Sequence, residues 1–184
     1  MPVRRRRMGW WSPEIRGVLP LDALVVSRSA RRSRRRFRVT VDHAFDRVIE
    51  TCRDLPREHG WITDEIVDAY IDLHHRSLAH SVECWNADGD LVGGLYGVSI
   101  GGLFAGESMF HHETDASKAA LIELVEILRS SAGTVLDVQW STPHLATLGV
   151  IEVPRAEYLG LVAGAVDAPD PFGPVSVRNA SERS

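Results

Sequence analysis

Cysteine is scarce: Cys52 and Cys84 are the only two in 184 residues. Two thiols do not make the framework that staples a small secreted domain. Both fall in segments that read as core, so buried thiols are expected. No run approaches the ~20 apolar residues a membrane-spanning helix needs. The basic start, Met1 to Met8, is followed by no apolar stretch of the kind a secretory signal carries. There is no internal repeat. His74, His75, His80, His111, His112 and His144 fall into no metal-ligand spacing, and neither cysteine has an evident histidine partner to activate a thiol nucleophile. These absences exclude a disulfide scaffold and a helical membrane protein. They leave a cytoplasmic protein without membrane contact, metal or other cofactor as the expectation.

What is present is the composition of a folded domain, 44% hydrophobic and 25% charged. A chain of this length buries roughly 70% of the surface its unfolded form exposes. The net charge of −4 conceals a division: residues 1–38 hold 12 Arg against 2 acidic residues, a balance of +10, and the remainder holds 9 Lys and Arg against 23 acidic residues, −14. Such asymmetry points to a polyanion partner at one end. Arg31, Arg32, Arg34, Arg35, Arg36 and Arg38 form the densest cluster, and the guanidinium fork suits phosphate. A solvated basic arm without a ligand is the other reading. The acidic remainder argues against wrapping of the whole protein by nucleic acid and fits local contact with one end of an RNA.

Periodicity gives a helix–strand alternation. Residues 1–9 read as an irregular basic leader, 22–29 as a short strand and turn, and 36–41 as a strand. Ala44, Phe45, Val48, Ile49 and Cys52 recur at helical spacing. Thr63 is placed to cap a second helix through Leu78. Ser81 to Trp85 alternates and ends at Asn86-Ala87-Asp88-Gly89, a hairpin signal. Leu91–Ser99 and Leu103–Met109 pair around Gly101-Gly102. Asp115 is placed to cap a long helix that Gly133 ends. A strand at 134–139, a helix at 143–148, a strand at 150–153 and a helix at 154–163 follow. Residues 167–184, rich in Pro, Ser, Asp and Arg, read as a disordered tail.

Glu107 stands out inside Leu103-Phe104-Ala105-Gly106-Glu107-Ser108-Met109-Phe110. A buried carboxylate needs a partner, and a strand glycine marks close approach of a ligand or backbone. Alternation alone equally allows Glu107 to face solvent.

Gly106-Glu107-Ser108-Met109-Phe110 resembles the signature of leucyl/phenylalanyl-tRNA–protein transferases. Further pieces follow in family order: Trp10-Trp11-Ser12-Pro13-Glu14-Ile15-Arg16, Ser27-Arg28-Ser29, Trp61-Ile62-Thr63, His80-Ser81-Val82-Glu83-Cys84-Trp85, Leu91 to Val98, Ala116 to Leu121, Asp137-Val138-Gln139 and His144 to Gly149. The resemblance runs from about residue 10 to about residue 162. One departure is Ser141-Thr142-Pro143, where the family often carries Asn before the His.

The resemblance implies an aminoacyltransferase that moves Leu, Phe or Met from aminoacyl-tRNA to proteins beginning with Arg or Lys, marking them for degradation. It implies an α/β acyltransferase fold like that of the GCN5-related N-acetyltransferases, with a mixed sheet flanked by helices. It also implies a small N-terminal domain ahead of the double Trp, nearly all of which this chain lacks. The expected organisation is a basic N-terminal remnant (1–38), a catalytic domain (39–166) and the tail, in a monomer. The resemblance places the reactive centre on Gln139, Asp137 and Glu107. It places the donor slot on Leu95, Phe104, Gly106, Met109, Leu121, Leu128 and Leu136. Trp10 and Trp11 have the chemistry to stack on the terminal adenine, and anchoring the N-terminal segment in the core is the equal alternative. Arg28, Arg31, Arg32, Arg34, Arg35 and Arg36 are the expected tRNA contacts. Two alternatives stand beside it. One is a tRNA-binding remnant without catalysis. The other is a coenzyme-A-dependent N-acetyltransferase, although no Arg/Gln-x-x-Gly-x-Gly/Ala loop is present to cradle pyrophosphate.

Overall fold

The computed structural model describes residues 2–4, 7–8, 12–56 and 60–173. The chain is α/β, with a seven-stranded mixed sheet flanked by helices. A short pair, β1 (Pro2–Arg4) and β2 (Arg7–Met8), comes first. Then follow β3 (Ile15–Leu19), a 3-10 turn at Leu21–Ala23, α1 (Arg28–Arg34), β4 (Arg38–Val41), α2 (Phe45–Asp54) and α3 (Asp64–His75). After these come β5 (Ala79–Trp85), β6 (Leu91–Ile100), β7 (Leu103–His111), α4 (Ala116–Arg129), β8 (Val135–Gln139), α5 (Pro143–Thr147), β9 (Ile151–Pro154) and α6 (Arg155–Val166). The large sheet runs β4-β5-β6-β7-β8-β3-β9. All its neighbours are antiparallel except β7 and β8, whose parallel pairing uses α4 as the crossover.

Alternation along the strands gives the sheet two apolar faces. Leu95, Phe104 and Leu136 meet Leu121, Leu124 and Leu128 of α4 on one side. Phe45, Val48, Ile49, Ile66 and Val67 of α2 and α3 meet Ala79, Tyr96 and Phe110 on the other. Leu124 and Leu128 are almost wholly buried, so truncating either to Ala would cost about 2–5 kcal/mol. The start of α4 presses on β6 so closely that a Cβ at Gly93 would lie 2.5 Å from that of Ala116; only glycine fits there. Glu83, buried in β5, accepts from the Thr40 and Ser81 hydroxyls and from the first N–H groups of the α2 turn. Burial lifts its pKa against those donors.

Two readings change. The strand expected at 22–29 is instead the 3-10 turn and the start of α1. Ser27 caps this helix by accepting from the Ala30 N–H at 3.1 Å, and Arg and Ala are good helix formers. Asp115 sits at the cap position of α4 in a left-handed conformation (φ 69°) and makes no cap bond; its carboxylate takes Lys118 at 2.8 Å. Residues 15–19 lie inside the sheet, between β8 and β9. Of the segment 167–184, residues 167–173 are described, and Phe172 is buried with its ring stacked on His80.

Candidate functional site

The parallel pairing of β7 and β8 stops at Ala105 opposite Asp137. Just beyond, both strands become irregular. In β7, Glu107 is an extra residue between Gly106, opposite Gly97, and Ser108, opposite Tyr96. Such a bulge re-aims a side chain. In β8 the register against β3 slips between Asp137 and Gln139. Gln139 has φ 68°, and the Trp140 N–H reaches back to the Val138 carbonyl at 2.8 Å. This is a γ-turn centred on Gln139. A left-handed conformation at a non-glycine residue costs roughly 1–3 kcal/mol and persists only where neighbours over-determine it.

Asp137 is the chief determinant here. It is fully buried, and its Oδ1 accepts the Gln139 N–H at 2.7 Å. Arg16 grips the same carboxylate with Nε at 3.0 Å and Nη2 at 2.8 Å. The Tyr158 hydroxyl donates to Oδ2 at 2.7 Å. Burial, reinforced by Asp137, pushes the Tyr158 phenol up to about 12, so it stays a donor at neutral pH. With these donors in place, Asp137 is an anchored charge that holds the γ-turn.

Glu107 and Gln139 face one another where the strands part. Gln139 Nε2 donates to Glu107 Oε2 at 3.0 Å and lies 3.4 Å from the Gly106 carbonyl. A carboxylate only accepts, so the amide NH₂ must point toward Glu107 and the amide oxygen away from it. Tyr70, from α3, donates to Glu107 as well. Burial raises the Glu107 carboxyl pKa, and the Tyr70 and Gln139 bonds offset that in part. Burial and the neighbouring Glu107 also raise the Tyr70 phenol, keeping it a donor.

Next to these groups opens an apolar cavity of about 130 Å³. Leu95, Gly106, Met109, Leu121 and Leu136 line it, as do Glu107, Ser108, Val138, Leu145 and Leu148. Phe104 and Leu128 lie instead in the core beneath, Phe104 against Phe172. Trp10 and Trp11 lie outside the described residues. Among the described residues no three His, Cys, Asp or Glu side chains are grouped to hold a metal ion, and no helix is long and apolar enough to cross a membrane.

The arginines divide by helix geometry. Ala30 and Arg34, four residues apart, turn toward α4, where Arg34 pairs with Glu123 and with Glu126 at 3.2 Å. Arg28, Arg31, Arg32, Arg35 and Arg36 are exposed. Five of the six arginines expected to contact RNA therefore face outward, and the sixth ties α1 to α4.

Arg16, Tyr70 and Tyr158 belong to this junction and carried no assigned role in the sequence. Arg16 had a signal, its place in the Trp10–Arg16 segment. Tyr70 and Tyr158 had none, because each is one aromatic in a helix whose sequence distance from Glu107 or Asp137 only the fold closes.

Replacing Glu107 with Gln separates charge from size. A carboxyl whose pKa is raised in the folded state binds its proton more tightly there than in the unfolded chain. That contribution is complete below the ordinary carboxyl range and is lost as pH rises through the raised value. Glu107→Gln should therefore melt at or above the wild-type temperature at neutral pH, the difference vanishing in acid. If the charge serves a cationic substrate, turnover should fall roughly 10–100-fold. Early melting with normal turnover per folded molecule would make Glu107 a structural residue.

Comparison with known proteins bears on what this junction does. The family described as leucyl/phenylalanyl-tRNA protein transferase matches residues 18–163, a span that includes Glu107, Asp137, Gln139 and Tyr158. The chain is similar to the leucyl/phenylalanyl-tRNA–protein transferase of Pseudoalteromonas atlantica, at 51% identity over 164 residues covering 87% of this chain and 70% of that protein. The protein of that name from Anaeromyxobacter sp. (strain K) is 51% identical over 165 residues, with the same coverage. That from Salinibacter ruber is 46% identical over 175 residues, covering 94% of this chain and 76% of the relative.

Proposed function

This chain belongs to the leucyl/phenylalanyl-tRNA–protein transferase family, and we propose that it moves Leu, Phe or Met from aminoacyl-tRNA to proteins beginning with Arg or Lys. It is an aminoacyltransferase. The observation that carries the site assignment is the junction of Glu107, Asp137 and Gln139 beside an apolar cavity. The donor's side chain enters the cavity, where Leu95, Met109, Leu121 and Leu136 select apolar residues. Such a pocket discriminates by about 1–3 kcal/mol per methylene. The modification marks the acceptor for degradation.

The reaction is aminolysis of an ester. A bond forms between the acceptor's α-nitrogen and the aminoacyl carbonyl carbon, and the bond from that carbon to the ribose oxygen breaks. The nitrogen loses a proton, and the departing oxygen gains one. A neutral amide is too weak a base to remove the proton alone. The Gln139 carbonyl oxygen, turned away from Glu107, accepts an N–H of the incoming amine and aims its lone pair. Asp137 acts through Gln139 by fixing the turn, as a positioning residue. Glu107 pairs with a cationic substrate group. Because an aminoacyl ester is already activated, orientation supplies much of the acceleration.

The finer fold assignment, an acyltransferase architecture of the GCN5-related N-acetyltransferase kind, belongs to the same proposal. The mixed sheet with its parallel β7–β8 pair and the site at their divergence support it.

The test is a transfer assay with labelled Leu-tRNA and substrates differing only in their first residue. Label should pass to Arg- and Lys-initiated substrates. No transfer to either would overturn the assignment. The exposed arginines give a second test. Replacing Arg31, Arg32, Arg35 and Arg36 with Ser should weaken binding to all tRNAs alike. The slope of log affinity against log salt should become shallower by about 0.9 for each phosphate the variant no longer neutralises. An unchanged slope would remove the cluster from the RNA interface.

A further inference from the structure

We propose that a second cleft, beside the apolar cavity, holds the phosphodiester backbone of the tRNA's single-stranded 3′ end, an inference that rests on the donor assigned above. The cleft is about 270 Å³ and is walled by Val25, Ser27, Lys118, His144 and Thr147. Leu121 and Leu148 line both it and the apolar cavity, so the two spaces are neighbours divided by two side chains. A strand ending in an aminoacyl ester needs this arrangement, with an apolar recess for the amino acid and, for the chain leading to it, a neighbouring cleft of mixed lining that carries a cation and hydroxyls.

The chemistry of the walls favours a polyanion. Lys118 is the chain's only lysine, and a lysine ammonium is a compact point charge that binds phosphate. Asp115 occupies one of its three N–H groups, at 2.8 Å; the other two remain for a ligand. Lys118 stands in the first turn of the 14-residue α4, where the helix macrodipole adds positive potential. His144, exposed on α5, lines the same cleft, as do Ser27 and Thr147. Val25, 59% exposed, offers an apolar edge to a sugar or base. From Ser27 the chain runs directly into α1, whose Arg28, Arg31 and Arg32 are exposed. Exposed arginines thus run from the helix surface to the mouth of the cleft, where Lys118 stands paired with Asp115. The same charges disfavour the acceptor, whose first residue is itself a cation.

Two donors separate this site from the rest of the machinery: Leu-tRNA, and Leu esterified to adenosine alone, which has no phosphate. Lys118→Gln should raise KM for Leu-tRNA about tenfold, the loss of one charged hydrogen bond. It should leave kcat near wild type and use of the adenosine ester unchanged. Lys118→Arg should recover most of the loss. A readout independent of transfer is titration with the unacylated trinucleotide CCA, whose two phosphodiesters are anionic and whose binding should weaken about tenfold in Lys118→Gln and also weaken in His144→Gln. Equal losses with both donors would make Lys118 a support for the cavity and overturn the proposal. Unchanged CCA binding in both variants would overturn it as well. Lys118-dependent CCA binding by a wild-type protein that transfers nothing would remove the donor assignment and leave this site standing.

Discussion

Asp137→Asn is expected to lose about two orders of magnitude in turnover and roughly 2–3 kcal/mol of stability. Removing one partner of a buried ion pair costs about 3–5 kcal/mol when both groups are buried. Arg16 keeps 20% of its side chain exposed while Asp137 keeps none, so the figure is discounted for solvent. Asn has the right size and the wrong hydrogens. The groups around it, Arg16, the Tyr158 hydroxyl and the Gln139 N–H, are all donors, and an amide must turn an NH₂ toward one of them. The kinetic loss follows from position, because a catalytic group misplaced by about 1 Å can cost 100-fold. Urea unfolding and single-turnover transfer from Leu-tRNA measure the two effects. A variant as stable as wild type would show that the Asp137 charge is not what holds the junction.

How far this junction could be read from the sequence depends on what each residue's neighbours in the chain reveal. Thr63 announces α3 because capping is local: its hydroxyl accepts from Ile66 three residues on. The β5–β6 hairpin is legible in the same way, since Asn86 Oδ1 takes the N–H groups of Asp88 and Asp90 and Gly89 supplies φ 86°. The strand 15–19 was not legible. It is five residues, Ile-Arg-Gly-Val-Leu, in a segment dominated by charge, and it becomes a strand because β8 and β9 pair with it on both sides. Glu107 shows the limit most clearly. Strict alternation decides which face a strand residue takes, and a bulge at that same residue removes the alternation. The motif resemblance placed Glu107 at the site without that information. It could not supply Tyr70 or Tyr158, which reach the junction from helices far away in sequence.

Gln139 provides the sharper test, because its side chain and its backbone make separable contributions. Gln139→Ala and Gln139→Gly both remove the amide proposed to orient the amine, and both should lower single-turnover transfer by about 100–1,000-fold, the range seen when one oriented polar donor or acceptor is deleted. Binding of Leu-tRNA should change little, since the role proposed for Gln139 is toward the reacting amine and not toward a phosphate. The two variants should differ in stability. Alanine at φ 68° keeps the steric conflict that glutamine has there, whereas glycine adopts that conformation freely. The bond from the residue-139 N–H to Asp137 survives in both. Gln139→Gly should therefore be more stable than Gln139→Ala by about 1 kcal/mol, the balance of relieved strain against glycine's larger unfolded-state entropy. If glycine brings no gain over alanine, the turn is not strained, and the anchoring role given to Asp137 loses its reason. If alanine transfers at a near-normal rate, the amide is a bystander and the orienting group must be sought at Glu107.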